Sequence, residues 1–277
     1  MAASLRPLST GELLDQTFNL YRQNFLLFFG IAAVPQLVLF LVIVAAGVVL
    51  GLVAGRTGGV RVLPEIAVVP GFAYLAGSMI ATAVTQAATT FAVSALYLEQ
   101  PVSLGRSFSL AKGRILAVIG VTILFGISVG IGFMLLVIPG ILVLMWYSLA
   151  VPATVVEQIG VSRAFNRSSS LSKGSGWRIL GVYILLLILT IVLDIGIEYL
   201  VAFALRPLKG IPAVHGFLSG GTSYLVGALV APILTIALTL LYYDQRVRKE
   251  GFDLEHMMSV LQAASAPGSA TTAGAAV

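Results

Sequence analysis

Six long apolar runs, separated by short polar stretches, constrain this chain more than any other feature. They lie at approximately 25–53, 71–98, 115–138, 141–156, 179–205 and 221–243. A helix needs roughly 20 apolar residues to cross the ~30 Å hydrocarbon layer of a bilayer, and each run reaches or approaches that length. Spanning strands are disfavoured, because the runs are long and do not alternate apolar with polar residues. Only 10% of the 277 residues are charged and 58% are hydrophobic, with a mean hydropathy of +1.03. Soluble domains carry about 25% charged residues. The sequence predicts an all-α, polytopic membrane helix bundle with six transmembrane helices.

Basic residues give the orientation. Arg6, Arg22, Arg106, Lys112, Arg114, Arg163, Arg167, Lys173, Arg178, Arg246, Arg248 and Lys249 flank one end of the runs. Only Arg56, Arg61, Arg206 and Lys209 flank the other. Lysine and arginine concentrate on the cytoplasmic side of spans, so both termini are expected in the cytoplasm, with the chain in the plasma membrane. The net charge of +5 then belongs to a membrane surface, and no nucleic-acid partner is expected. Cysteine is absent, which removes disulfides and thiolate metal sites. The first twenty residues lack an apolar core followed by a small-residue cleavage site, so no cleaved signal peptide is expected. "VIPGI" (137–141) reads as a tight external hairpin. A single membrane domain is expected over 1–255, and 256–277, small and polar, reads as a disordered tail.

A repeated unit follows from the polar stretches. Leu8-Ser9, Val102-Ser103 and Val161-Ser162 each place an apolar residue before a serine, a good helix N-cap. Ser9 and Glu12 form a capping-box pattern, and Leu14, Phe18, Tyr21 and Phe25 recur at helical spacing. "RSFSLAKG" (106–113) matches "RSSSLSKG" (167–174). Glu99-Gln100, Glu157-Gln158 and Asp244-Gln245 close the second, fourth and sixth runs. Three approximate repeats, 8–100, 101–158 and 159–245, are expected in a pseudo-three-fold plan. Each would be an amphipathic interfacial helix followed by two spans. A carboxylate near a helix C-terminus opposes the dipole, which suggests Lys112 as partner for Glu99 and Lys173 for Glu157.

Three groups of residues are candidates for function. Asp194 and Glu198 lie four apart in the fifth run, on one helix face. At 1.5 Å per residue they fall roughly 22 and 28 Å along it, counted from Ile179. Ionisable groups inside membranes are costly and default to functional readings. They read either as a cation or proton site, or as groups reaching the far surface or pairing with Arg206 or Lys209. Gln36 and Gln86, with Thr82, Thr85, Thr89 and Thr90, read either as a polar path or as hydrogen bonds locking helices together. Arg106, Lys112, Arg114, Arg163, Arg167, Lys173 and Arg178 form a basic collar. Near an anionic surface each such cation is attracted by about 1 kcal/mol. Gly47, Gly51 and Gly55, and Gly126 and Gly130, are small-residue faces suited to close helix approach. Pro35, Pro152 and Pro232 interrupt backbone hydrogen bonding within runs.

The stretches "LRPLSTGELLDQTFNLYRQNF", "PGILVLMWYSLAVPATVVEQIGVSRAFNRSSSLSKGSGWRILG" and "LLYYDQRVRKEGFDLE" resemble the bacterial glycerophosphoryl diester phosphodiesterase membrane-domain family. The resemblance implies a six-span module, sometimes fused to a soluble phosphodiesterase barrel. That barrel is missing here: there is no His-Arg-Gly and no soluble stretch of about 250 residues. No phosphate loop, histidine metal motif or nucleophile elbow occurs either. The expectation is a non-catalytic protein without cofactor that interacts with membrane lipids or a protein partner through its basic collar. The alternative is a small-solute or ion transporter or channel using the intramembrane polar residues.

Overall fold

A computed structural model describes residues 7–56 and 64–251. Among these residues every regular element is helical. The order is α1 (Thr10–Gln23), α2 (Phe25–Arg56), α3 (Pro64–Tyr97), α4 (Leu104–Lys112), α5 (Ile115–Leu135), α6 (Val137–Tyr147), α7 (Ala150–Val156), α8 (Val161–Ser172), α9 (Gly176–Ala204), a 3-10 turn (Arg206–Gly210) and α10 (Pro212–Glu250). Six stretches are long and apolar enough to cross a membrane: Phe25–Leu52, Gly71–Tyr97, Ile115–Leu135, Val137–Val156, Gly176–Ala204 and Val214–Glu250. The chain is a multi-pass, all-α membrane protein. The tail expected over 256–277, and His256 within it, lie outside the described residues.

Several boundaries shift from the sequence expectation. The turn between the third and fourth spans is the single extended residue Leu136, and "VIPGI" already opens α6. The fourth span is broken into α6 and α7 at Ser148-Leu149. Pro152 accounts for the break, since it has no N–H to donate to the Ser148 carbonyl four residues back. α10 runs six residues past Asp244, so that carboxylate is inside a helix rather than at its end.

Caps behave unevenly. Ser9 caps α1 in a complete capping box with Glu12. Ser103 caps α4 by accepting the Arg106 N–H. The N-cap of α8 is Gly160, two residues before the expected Ser162. The apolar stripe of α1 is also rotated from expectation: Leu13 and Thr17 are the buried residues, and Phe18 and Phe25 are exposed.

The long helices form two layers. In their most apolar windows α10 is 61% buried, and α3 and the α6–α7 pair are each 50% buried. The figures for α2, α5 and α9 are 17%, 17% and 28%. So α3, α6–α7 and α10 make the centre, and α2, α5 and α9 lie around it. The contacts then follow one rule three times. α2 bridges α3 and α10, α5 bridges α6–α7 and α3, and α9 bridges α10 and α6. Each short helix docks on the central helix that precedes its own pair: α4 on α3, α8 on α6 and α7, and α1 on α10, which closes the ring. Along α1, the Leu8 N–H donates to Asp244 (2.7 Å) and the Tyr21 hydroxyl to the Leu229 carbonyl (2.6 Å). Burial pushes the Tyr21 phenol up to about 12, which keeps it a donor at any physiological pH.

Lipid is as apolar as the helices, so their association depends on close packing and interhelical hydrogen bonds. The central faces are accordingly small. Ala83, Ala87, Ala88 and Ala92 on α3, and Ala228 and Ala237 on α10, are fully buried. Toward the basic end, Tyr97 stacks on Tyr243 at 4.8 Å between centroids. In the α5–α6 hairpin backbone meets backbone: a Cβ on Gly132 would stand 2.8 Å from the Gly140 Cα.

Candidate functional site: an axial polar cavity above a basic rim

Two adjoining cavities lie among the long helices, the first toward the basic end and the second nearer mid-helix. One, about 80 Å³, is bounded by Gln86, Thr122, Tyr147, Ser148, Pro152 and Tyr183, among others. The other, about 180 Å³, is bounded by Gln36, Thr82, Thr85, Gln86, Thr190 and Thr235, with two apolar residues. Gln86, Leu234 and Thr235 belong to both. Thr190 is roughly 21 Å along α9 from Gly176 at 1.5 Å per residue, which is the middle of that helix.

Most of the lining surface is apolar, and the polar groups set into it are uncharged: amides, hydroxyls and two phenols, but no carboxylate or amine. Gln86 Oε1 accepts from the Thr122 hydroxyl at 3.2 Å, so this glutamine ties α3 to α5 and faces the cavities at once. Thr85 Oγ1 and Ser148 Oγ are buried with no hydrogen-bond partner. A buried polar group left unpaired costs about 1–3 kcal/mol; both oxygens are sealed from the cavity space, and Thr89 Oγ1, Ser94 Oγ and Gln245 Oε1 are in the same state away from it. Ser148 owes its position to the broken fourth span. The free backbone at the break is stitched from α8: Ser168 donates to the Trp146 carbonyl (2.7 Å) and accepts from the Leu149 N–H (3.2 Å).

At the basic rim the seven cations of the expected collar divide. Arg114, Arg167 and Arg178 are engaged within the protein. Arg114 donates to Gln158 Oε1 at 2.9 Å. Arg167 bonds Glu157 at 2.6 Å and grips both oxygens of Glu250. Those bonds, Glu250 foremost, raise the Arg167 pKa and keep it charged. Arg178 donates to Asp244 at 2.5 Å and to the Leu8 carbonyl at 2.7 Å. Arg106, Lys112, Arg163 and Lys173 are exposed and meet no carboxylate among the described residues.

The three acidic joints are three different things. Asp244 has a fully buried side chain between Arg178 and Arg248. Glu157 pairs with Arg167 and accepts from Tyr242 (2.6 Å), so its expected partner Lys173 is replaced. A cation on the next helix, in line with the carboxylate, outcompetes one at the end of that helix. Glu99 is exposed at a left-handed backbone position (φ 55°) and makes no ion pair with Lys112 or any other described residue.

Asp194 and Glu198 do not line the axial cavities. Asp194 is half-buried, Glu198 is exposed, and neither forms an ion pair among the described residues. The expected pairing with Arg206 is not made, because that guanidinium lies over the Phe203 ring, 4.7 Å from its centroid. The Lys209 side chain is outside the described set. Gly47, Gly51, Gly126 and Gly130 have nothing within 4 Å of a built Cβ, so they make no close approach inside the bundle.

Sequence reasoning found Gln36, Gln86, Thr82 and Thr85 but missed Thr122, Tyr147, Ser148, Tyr183, Thr190 and Thr235; Thr89 and Thr90 are buried and line neither cavity. Thr190 stands one turn before Asp194 on the same face, and Ser148 stands four before Pro152. Both spacings were readable. Comparison with family models finds no match, and neither do comparisons with curated proteins and with solved structures.

Proposed function

We propose that this protein is a non-catalytic carrier or passage for a small, uncharged, hydrogen-bonding solute, bound in the axial cavity. The observation that carries the reading is the convergence of amide and hydroxyl groups from α2, α3, α5, α9 and α10, and from the α6–α7 break, on these two adjoining cavities. The likeness to the phosphodiesterase membrane-domain family contributes six-span architecture to this proposal and no activity. By the distribution of lysine and arginine the basic rim faces the cytoplasm, and the resemblance to a bacterial family implies a bacterial plasma membrane.

The test is osmotic. Proteoliposomes are shocked with glycerol or urea and their re-swelling is followed by light scattering. Re-swelling faster than in protein-free vesicles is expected, and Thr235→Leu, which fills the shared wall of the cavities, should return it to background. Wild-type vesicles that re-swell at the protein-free rate with both solutes would sink the proposal.

A second reading has its own support. Arg106, Lys112, Arg163 and Lys173 are exposed, and Trp177, at the start of α9, is 76% exposed; tryptophan with basic residues is the usual composition of a membrane-interface belt. A module that gathers anionic lipid at this rim would use these groups and leave solute flux at background.

A further inference from the structure

The two intramembrane glutamines that line the second cavity are not equivalent. Gln86 is half committed: its Oε1 accepts from the Thr122 hydroxyl, while its NH2 bonds no described residue. Gln36 makes no hydrogen bond with any described residue, although it stands within a helix long and apolar enough to cross a membrane. The Thr82 and Thr235 hydroxyls are unbonded in the same way. The other two hydroxyls of this wall differ. Thr190 donates to the Leu187 carbonyl at 2.9 Å, and Thr85 Oγ1 is sealed. Gln36, Gln86, Thr82 and Thr235 are half-buried and their unbonded groups are not sealed. They stay within reach of an occupant of the cavity, whose volume of about 180 Å³ is room for several waters.

We propose that this cavity selects solutes bearing a carboxamide or urea group, held edge to edge by the Gln36 amide. The proposal rests on the carrier reading above for the site and adds the class of solute. The inventory of unbonded groups decides that class. Two NH2 groups, of Gln36 and Gln86, require an acceptor, and a carbonyl oxygen has two lone pairs to offer. The Gln36 carbonyl and the two hydroxyl oxygens require donors, and a carboxamide carries N–H on the atom next to its carbonyl carbon. Its donor and acceptor lie in one plane, so they match the acceptor and donor of a glutamine side chain through two parallel hydrogen bonds. A polyol hydroxyl offers one donor on a tetrahedral oxygen and cannot form that planar pair. A ketone supplies the acceptor and leaves the Gln36 carbonyl unbonded. An unbonded polar group is costly away from water, and a site built on hydrogen bonds discriminates strongly against an analogue that lacks one. Ala231 and Leu234 complete the wall and suit a short alkyl group on the amide.

The experiment has two arms. Proteoliposomes holding the full chain are shocked with urea, acetamide or glycerol, and the protein-free rates are subtracted. Saturation-transfer NMR on the detergent-solubilised full chain compares binding of acetamide with that of acetone, its isostere without N–H. Urea and acetamide are expected to enter about tenfold faster than glycerol, the order of one hydrogen bond, and acetamide to give the stronger NMR signal. Gln36→Leu should bring the amides down to the glycerol rate and remove the acetamide signal. Gln36→Asn, which keeps the amide on a shorter arm, should retain part of the preference. Thermal midpoints report the folding of both variants, and the wild-type comparisons stand without them. Protein-dependent entry that is equal for amides and glycerol, equal NMR signals from acetamide and acetone, or an amide preference that survives Gln36→Leu overturns the proposal. Acetamide binding that depends on Gln36, with every solute entering at the protein-free rate, sinks the carrier reading and upholds the amide site. Protein-dependent entry without preference does the reverse.

Discussion

Glu99, Glu157 and Asp244 look interchangeable in the sequence, each an acid followed by glutamine, and the structure separates them by what surrounds the carboxylate. Asp244 receives the Leu8 N–H, Arg178 and Arg248 while fully enclosed. Glu99 receives nothing from the described residues. Asp244→Asn keeps the shape but weakens charge-assisted bonds, each worth about 1.5–3 kcal/mol. It is expected to lower the thermal midpoint in detergent clearly, while Glu99→Gln stays within about 0.5 kcal/mol of wild type. Equal midpoints for the two variants would mean that burial of Asp244 contributes nothing. The same residue scale explains which cavity groups were legible. Glutamine in an apolar run is conspicuous because its amide cannot be satisfied by its own helix. Threonine is inconspicuous because its hydroxyl commonly bonds the carbonyl four residues back, as Thr154 does to Ala150 and Thr239 to Thr235. Nothing in the sequence distinguishes those from Thr85, whose hydroxyl has no such bond.

At the scale of elements, hydropathy located all six spans, because the cost of exposing backbone to lipid forces helices of the bilayer's length. It did not locate their ends, since α10 continues as one helix from apolar into charged residues. The glycine motifs show why spacing alone misleads. Gly126 and Gly130 match a close-packing pattern yet face open space, while Gly132 and Gly140, in no motif, meet backbone to backbone. Gly132→Ala should therefore cost about 1–3 kcal/mol through overpacking, read as a lowered thermal midpoint. Gly126→Ala should match or exceed wild type, alanine being the better helix former. A Gly132→Ala midpoint equal to that of wild type would contradict the hairpin geometry. The broken fourth span was half legible: Pro152 marked an interruption, but the serine on α8 that satisfies it is sixteen residues downstream, on a different helix.

At the scale of the whole molecule, the arrangement of three central and three surrounding helices has a trace in composition. The surrounding spans are the more apolar ones, as expected when the solvent is lipid and the polar groups turn inward. Ring closure has no such trace. Leu8 and Asp244 are 236 residues apart, and only the folded chain brings α1 against α10. The polar groups of α2, α3, α9 and α10 that line the second cavity, the basis of the proposed function, likewise come together only in the folded chain. Because the chain contains no cysteine, the cavity can be probed by single-cysteine labelling in membranes with a small, charged thiol reagent. Thr82→Cys and Thr235→Cys, on the cavity wall, are expected to react. Val42→Cys, facing lipid, and Ile236→Cys, packed in the core, are expected to stay unmodified. Silence at both cavity positions, or equal labelling at all four, would contradict a hydrated polar site at the centre of the bundle.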